Sequence, residues 1–147
     1  MKSTPQRLND IITAGFYPVF AVFLVWLWFF DRAELPKAVL VCGLSFVAVS
    51  LFRRVYNAPR PYEKDPSLPP PKPNAKRGQS FPSRHVFCAF LIVAAVSRYS
   101  AACGVLLALC AAALAYLRVR LRCHSVADVA CGAALGLACG FLGFYLL

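Results

Sequence analysis

The chain's two histidines, His85 and His124, both stand close to arginines, and Asp128 follows His124 by four residues. An imidazole and a carboxylate at that spacing share a face if a helix starts near His124. The carboxylate can then hold one ring N–H, which fixes the tautomer and leaves the other nitrogen free to attack. A helix N-terminus at the same place disfavours a protonated ring before reaction. Arg118, across the turn, offers a planar fork suited to phosphate oxygens. A second group, Pro82-Ser83-Arg84-His85, joins an N-cap serine and anion-binding backbone N–H groups to an imidazole that can give a proton to a departing oxygen. A third group, Arg53 with Arg60-Pro61, adds two cations. Cations, imidazoles and one carboxylate together are what a phosphate ester would need. Each group alone also has a plainer reading: a basic turn with a structural His–Asp bond, a well-capped helix, a span flanked by arginine.

The elements that must carry these groups are set by composition. Of 147 residues 60% are hydrophobic and 15% charged, and the mean hydropathy is +0.63. Soluble domains hold about 45–50% apolar and about 25% charged residues, which argues against a water-soluble globule. Disorder and collagen-like repeats are excluded by the same figures. The apolar residues fall in long blocks that predict five spans: Ile11–Phe30, Ala38–Phe52, Val86–Val96, Tyr99–Leu117 and Val129–Leu147. Pro18 sits in the first, where proline kinks a helix, and Trp26, Trp28, Phe29 and Phe30 mark its interfacial end. Residues Met1 to Asp10 lack a signal-peptide cleavage pattern.

The fold class expected is therefore an all-α, polytopic transmembrane bundle, one domain over residues 1–147, with 53–84 as a polar active-site loop. Eight of the eleven prolines, including Pro69-Pro70-Pro71, and eight of the sixteen basic residues lie from Arg53 to Arg84, a density that predicts extended chain rather than helix. The segment Tyr62 to Phe81 reads as a rim or lid, or as a plain connector. Five crossings put the N-terminus, this loop and the Arg118–His124 turn on one face, and the Asp31–Lys37 turn, the Arg98 turn and the C-terminus on the other. Thirteen of sixteen basic residues then share one face, and the net charge of +10 points to anionic headgroups or a phosphorylated ligand. Arginines that bind a ligand do not report topology, so sidedness stays open. Gly132, Gly136 and Gly140 form a four-residue step on which helices approach closely, a second copy included. Six of the seven cysteines lie inside apolar runs, as small hydrophobes do, and no C-x-x-C or zinc spacing occurs.

Arg53-x6-Arg60-Pro61, Pro82-Ser83-x-His85 and Arg118-x5-His124-x3-Asp128 resemble, in order and spacing, the three-part signature K-x6-R-P, P-S-G-H, S-R-x5-H-x3-D of the type-2 phosphatidic acid phosphatase family. The resemblance covers the chain from about Arg53 to its end. It implies a metal-independent phosphatase working through a phosphohistidine, with no cofactor, no metal and no nucleic-acid partner. Carried over by position, His124 is the nucleophile, Asp128 its orienting carboxylate and His85 the general acid. Arg53, Arg60, Ser83, Arg84 and Arg118 bind the phosphoryl group. Three positions depart from the pattern: Arg53 stands for lysine, Arg84 for glycine and Leu117 for serine, and five spans replace the usual six. Arg84 serves a second phosphate or an anionic headgroup, or else points to solvent. The substrates implied are phosphatidic acid, phosphatidylglycerol phosphate or an isoprenoid mono- or diphosphate such as undecaprenyl diphosphate. The economy of the chain reads as bacterial, in the cell membrane. The competing reading is a non-enzymatic polybasic membrane protein that binds anionic lipids; it gives no reason for the histidine and aspartate spacings.

Overall fold

The computed structural model describes residues 3–65, 67, 68, 70 and 75–147, and among these there is no strand. Much of the proline run, including Pro69 and Pro71, lies outside the described residues. Helix α1, Thr4–Phe30, starts where the Ser3 N–H donates to Gln6 Oε1 at 2.9 Å, and it continues through Pro18. Helix α2, Leu35–Tyr56, is longer at both ends than the predicted second span. Arg53 and Arg54 form its last turn, where cations suit the unpaired carbonyls, and Asn57 ends it in the left-handed region at φ 43°. The extended segment expected from Arg53 therefore starts four residues later. It is broken again by one helical turn, α3, Pro61–Lys64, whose proline takes the first helical position, where a missing N–H costs nothing.

Three more helices complete the chain: α4, Arg84–Ser97; α5, Ala101–Arg120; and α6, Val126–Phe141, which runs on into a π-helical turn over Leu142–Leu146. Four segments are long and apolar enough to cross a bilayer: Thr4–Phe30, Leu35–Lys64, Ala101–Arg120 and Val126–Leu146. At 14 residues α4 is shorter, roughly 21 Å at 1.5 Å per residue. It is also the hub. Ala89, Ile92 and Val93 meet Phe16 of α1 and Ala111 and Leu114 of α5. Ala95 meets Phe23, Leu27, Ala38 and Phe144, while Phe87 and Leu91 meet Val49 of α2. A helix buried on every side must be apolar on every side, as this one is. The outer helices turn their remaining apolar residues, such as Phe29, Phe30, Leu44 and Leu106, outward. In lipid that surface is already in its solvent.

The glycine step on α6 is consumed inside the chain. A Cβ at Gly132 would stand 2.7 Å from the Ser83 carbonyl, one at Gly136 would collide with the Phe87 carbonyl, and one at Gly140 with Ala94 Cβ. The close approach expected from sequence is made, but its partner is α4. The oligomer expected through Gly132, Gly136 and Gly140 is corrected accordingly, because a second copy cannot use a face that α4 already covers.

The two ends of the bundle gather different parts of the chain. At one end Tyr99 donates to Asp31 Oδ2 at 3.3 Å and packs edge-on to Trp26 at 4.9 Å, and Arg98 lies over Tyr145. The Asp31 turn, the Arg98 turn and the C-terminal segment thus gather there. The start of α1, the loop before α4 and the turn between α5 and α6 gather at the other.

Candidate active site

His124 sits on that turn, not on α6. The Arg118 carbonyl accepts from the N–H groups of both Cys123 and His124, at 3.1 and 3.2 Å, and Arg122 reverses the chain at φ 56°. Ser125 then caps α6: its Oγ accepts from the Asp128 N–H at 3.1 Å, and its own N–H donates to Asp128 Oδ2 at 2.8 Å. Asp128 is therefore the third residue of α6. The shared helix face expected from the His124–Asp128 spacing is replaced by a cap that folds the histidine back onto the carboxylate. His124 Nδ1 lies 3.6 Å from Asp128 Oδ2, and both side chains are buried. One carboxylate thus closes the helix cap and faces the ring.

A residue that the sequence did not flag joins them. The buried Ser80 hydroxyl donates to Asp128 Oδ2 at 2.5 Å and lies 3.4 Å from His124 Nδ1. Ser80 belongs to a polar loop, and nothing local marks it for burial. It is held by distant groups: its N–H donates to the Ala58 carbonyl at 2.9 Å, and Arg53 binds its carbonyl at 3.1 Å. Arg53 also donates to the carbonyls of Gln79 and Pro82. Expected to bind phosphate, Arg53 places its described hydrogen bonds on the backbone of the 79–82 segment. Arg60 does similar work between two loops, with Nε on the Gly78 carbonyl at 3.0 Å and Nη1 on the Cys123 carbonyl at 3.1 Å. These contacts fix the described part of the loop as a wall of the site.

Ser83 precedes α4 as its N-cap, and its N–H donates to the Asp128 carbonyl at 2.9 Å, tying α4 to α6. Its hydroxyl is fully buried without a hydrogen-bond partner among the described residues and does not make the side-chain cap that the sequence suggested. Arg118 donates from Nη2 to Thr13 Oγ1 of α1 at 3.0 Å, and its Nε is buried without a hydrogen-bond partner among the described residues. Thr13 was legible in principle, as a hydroxyl inside an otherwise apolar run.

Arg53, Arg60, Arg84, Arg118, His85 and His124 all line one polar chamber of about 560 Å³. All three sequence groups therefore converge, joined by the first turns of α1. A second, apolar chamber of about 420 Å³ opens between α1, α2 and α4. The two share a collar of four residues, Thr13, Tyr17, Arg84 and His85. Burial lowers the His124 pKa below the ordinary imidazole value of 6.5; Asp128 opposes this, and Arg60 and Arg53 reinforce it. The ring is thus held neutral near pH 7, with an available lone pair. Among the described residues no three of His, Cys, Asp and Glu come together as metal ligands.

The description of the PAP2 superfamily matches residues 34–147, so the chain belongs to the PAP2 superfamily, as an integral membrane phosphatase. The match starts upstream of the first motif and takes in all of α2. The chain is similar in fold to Aquifex aeolicus LpxE, whose crystal structure aligns with a TM-score of 0.70 at 23% identity, over 95% of this chain and 91% of that one. Among curated proteins none matches the sequence.

Proposed function

We propose that this protein hydrolyses the terminal phosphate of a membrane lipid through a phosphohistidine on His124, without a metal ion. The observation that carries the reading is the pair of joined chambers: a cationic one holding both imidazoles, and an apolar one large enough for part of a hydrocarbon tail, meeting at His85 and Arg84. An amphiphile fits that shape with its phosphate among the arginines. Bilayer insertion supplies the tail end, and α4 is read as the fifth crossing, since it starts at the site and ends beside the Asp31 turn.

In the first step Asp128 holds the Nδ1–H of His124, with Ser80 holding Asp128, so that Nε2 presents its lone pair to phosphorus. The Nε2–P bond forms as the bond from phosphorus to the lipid oxygen breaks, and His85 gives its proton to that oxygen. Arg118, with its buried Nε–H, and the charges of Arg60 and Arg53 stabilise the equatorial oxygens. In the second step His85 takes a proton from water, water attacks phosphorus, the N–P bond breaks, and inorganic phosphate leaves. Ser80 is a positioning residue in this scheme. The guanidinium groups supply the charge stabilisation that a metal gives elsewhere.

The test is phosphate release by detergent-solubilised protein from phosphatidic acid, phosphatidylglycerol phosphate and isoprenoid mono- and diphosphates, with a chelator present. Release is expected from at least one, and none above background is expected from His124→Ala. A strict requirement for a divalent ion would refute the mechanism.

A further inference from the structure

Arg84 is where this chain departs from its family's glycine, and its place in the fold gives the departure a meaning. It is the first residue of α4, directly before His85, yet its side chain reaches across to α2. Nη1 lies 3.5 Å from Ser50 Oγ, and the guanidinium carbon lies 5.2 Å from the centre of the Phe46 ring. Ser50 and Phe46 precede Arg53 by three and seven residues on the same helix, about 4.5 and about 10 Å deeper into the bilayer at 1.5 Å per residue. Phe46 lines the apolar chamber and not the polar one, whereas Arg84 lines both. A positive charge thus stands one step below the ring of arginines, on the side from which the tail enters. No carboxylate pairs with it among the described residues; one long hydrogen bond and one ring face are modest company for a half-buried guanidinium.

We propose, resting on the phosphatase reading above, that Arg84 is a specificity-determining residue that binds a second phosphate lying between the cleaved phosphoryl group and the hydrocarbon tail. A simple phosphate monoester has a neutral linkage at that depth. A lipid diphosphate has an anionic phosphate there, and so has a lipid whose terminal phosphate is separated from the tail by a phosphodiester. In a diphosphate the leaving group is itself an alkyl phosphate. As the Nε2–P bond of His124 forms and the bond from phosphorus to the bridging oxygen breaks, the bonding pair goes to that oxygen and the His85 proton follows it. Negative charge grows on the group that Arg84 touches, so the preference enters kcat as well as KM.

The experiment compares kcat/KM for two tail-matched pairs: farnesyl diphosphate against farnesyl phosphate, and phosphatidylglycerol phosphate against phosphatidic acid. Each pair is measured with the wild-type protein and with Arg84→Gln, Arg84→Gly and Arg84→Lys. The ratio within a pair is internal to one preparation, so partial loss of folded protein cancels. Wild type is expected to favour the anionic-linker lipid, with the ratio falling on the order of tenfold or more in the Gln and Gly variants and much less in Arg84→Lys. A fall confined to the farnesyl pair places the second phosphate one bridging oxygen away; a fall in both shows that charge at that depth suffices. An unchanged ratio in Arg84→Gln and Arg84→Gly overturns the proposal and leaves the phosphatase reading standing. A wild type that releases phosphate from none of the four lipids overturns both.

Discussion

At the scale of single residues, the candidate site centres on a histidine whose charge state is set by burial and by its neighbours. The lowered pKa means that the His124 ring stays neutral as pH falls through 6.5 and takes up a proton only below that value. Arg60 contributes to the lowering and Asp128 opposes it, so Arg60→Gln is expected to move the titration toward neutrality and Asp128→Asn to move it further into acid. An NMR titration of the ring checks both signs, and a midpoint above 6.5 in the wild type would contradict the buried, neutral histidine. Ser80 is expected to act on rate and not on binding. Ser80→Ala should lower kcat about tenfold, the scale of one lost hydrogen bond to a charged group, while KM holds. Asp128→Asn, which upsets the tautomer directly, should cost roughly 10²–10⁴ in kcat. The spacings marked His124, Asp128, His85 and the arginines as candidates, and the structure brings them together at one end of the bundle. Ser80 was not legible, because its burial comes from Arg53 and Ala58, which are distant in sequence. The bonds of Arg53 and Arg60 to backbone carbonyls were hidden for the same reason: an arginine's charge is written in the sequence, but its hydrogen-bond partners are not.

At the scale of elements, hydropathy located all the long helices and the end of α1 at Phe30, but misplaced most of the other ends. The second helix keeps Arg53 and Arg54 inside its last turn because cations are favourable there, a signal that composition alone treated as the start of a loop. The Ser125 cap likewise sets the start of α6 after His124, and that offset turns the ring toward Asp128. The α4–α6 contact is the element-level feature that fixes the site, since Ser83, His85, His124 and Asp128 all hang from the adjoining ends of these two segments. Gly136→Ala puts a methyl group against the Phe87 carbonyl, and a loss of about 1–3 kcal/mol is expected. Gly15→Ala, with nothing within 4 Å of the new Cβ, is expected to be neutral or to stabilise by up to about 1 kcal/mol. Thermal unfolding in detergent, followed alongside activity, separates the two. Equal behaviour would mean that α4 and α6 are not in such close contact.

At the scale of the whole molecule, the protein is an amphiphile built to hold another. Crossing order alone predicts thirteen basic residues at one end, and four of them, Arg53, Arg60, Arg84 and Arg118, line a chamber there. The apolar chamber beneath it was not legible, because a gap between helices depends on small residues such as Gly43 meeting large ones across a groove. Gly43 lines this chamber with open space around it. Gly43→Leu should therefore raise KM for long-tailed lipid phosphates about tenfold and leave hydrolysis of a short, water-soluble phosphate ester little changed, which steady-state kinetics with the two substrates will show. An equal effect on both would argue that the tail lies elsewhere.

The most direct measurement is to capture the covalent enzyme. Wild-type protein mixed with a lipid phosphate in the presence of a chelator, quenched in alkali and digested, is predicted to carry a phosphoryl group on His124 by mass spectrometry, and His124→Ala is predicted to carry none. Rapid phosphate release by the wild type with the label on no histidine, or undiminished turnover by His124→Ala, would contradict the account.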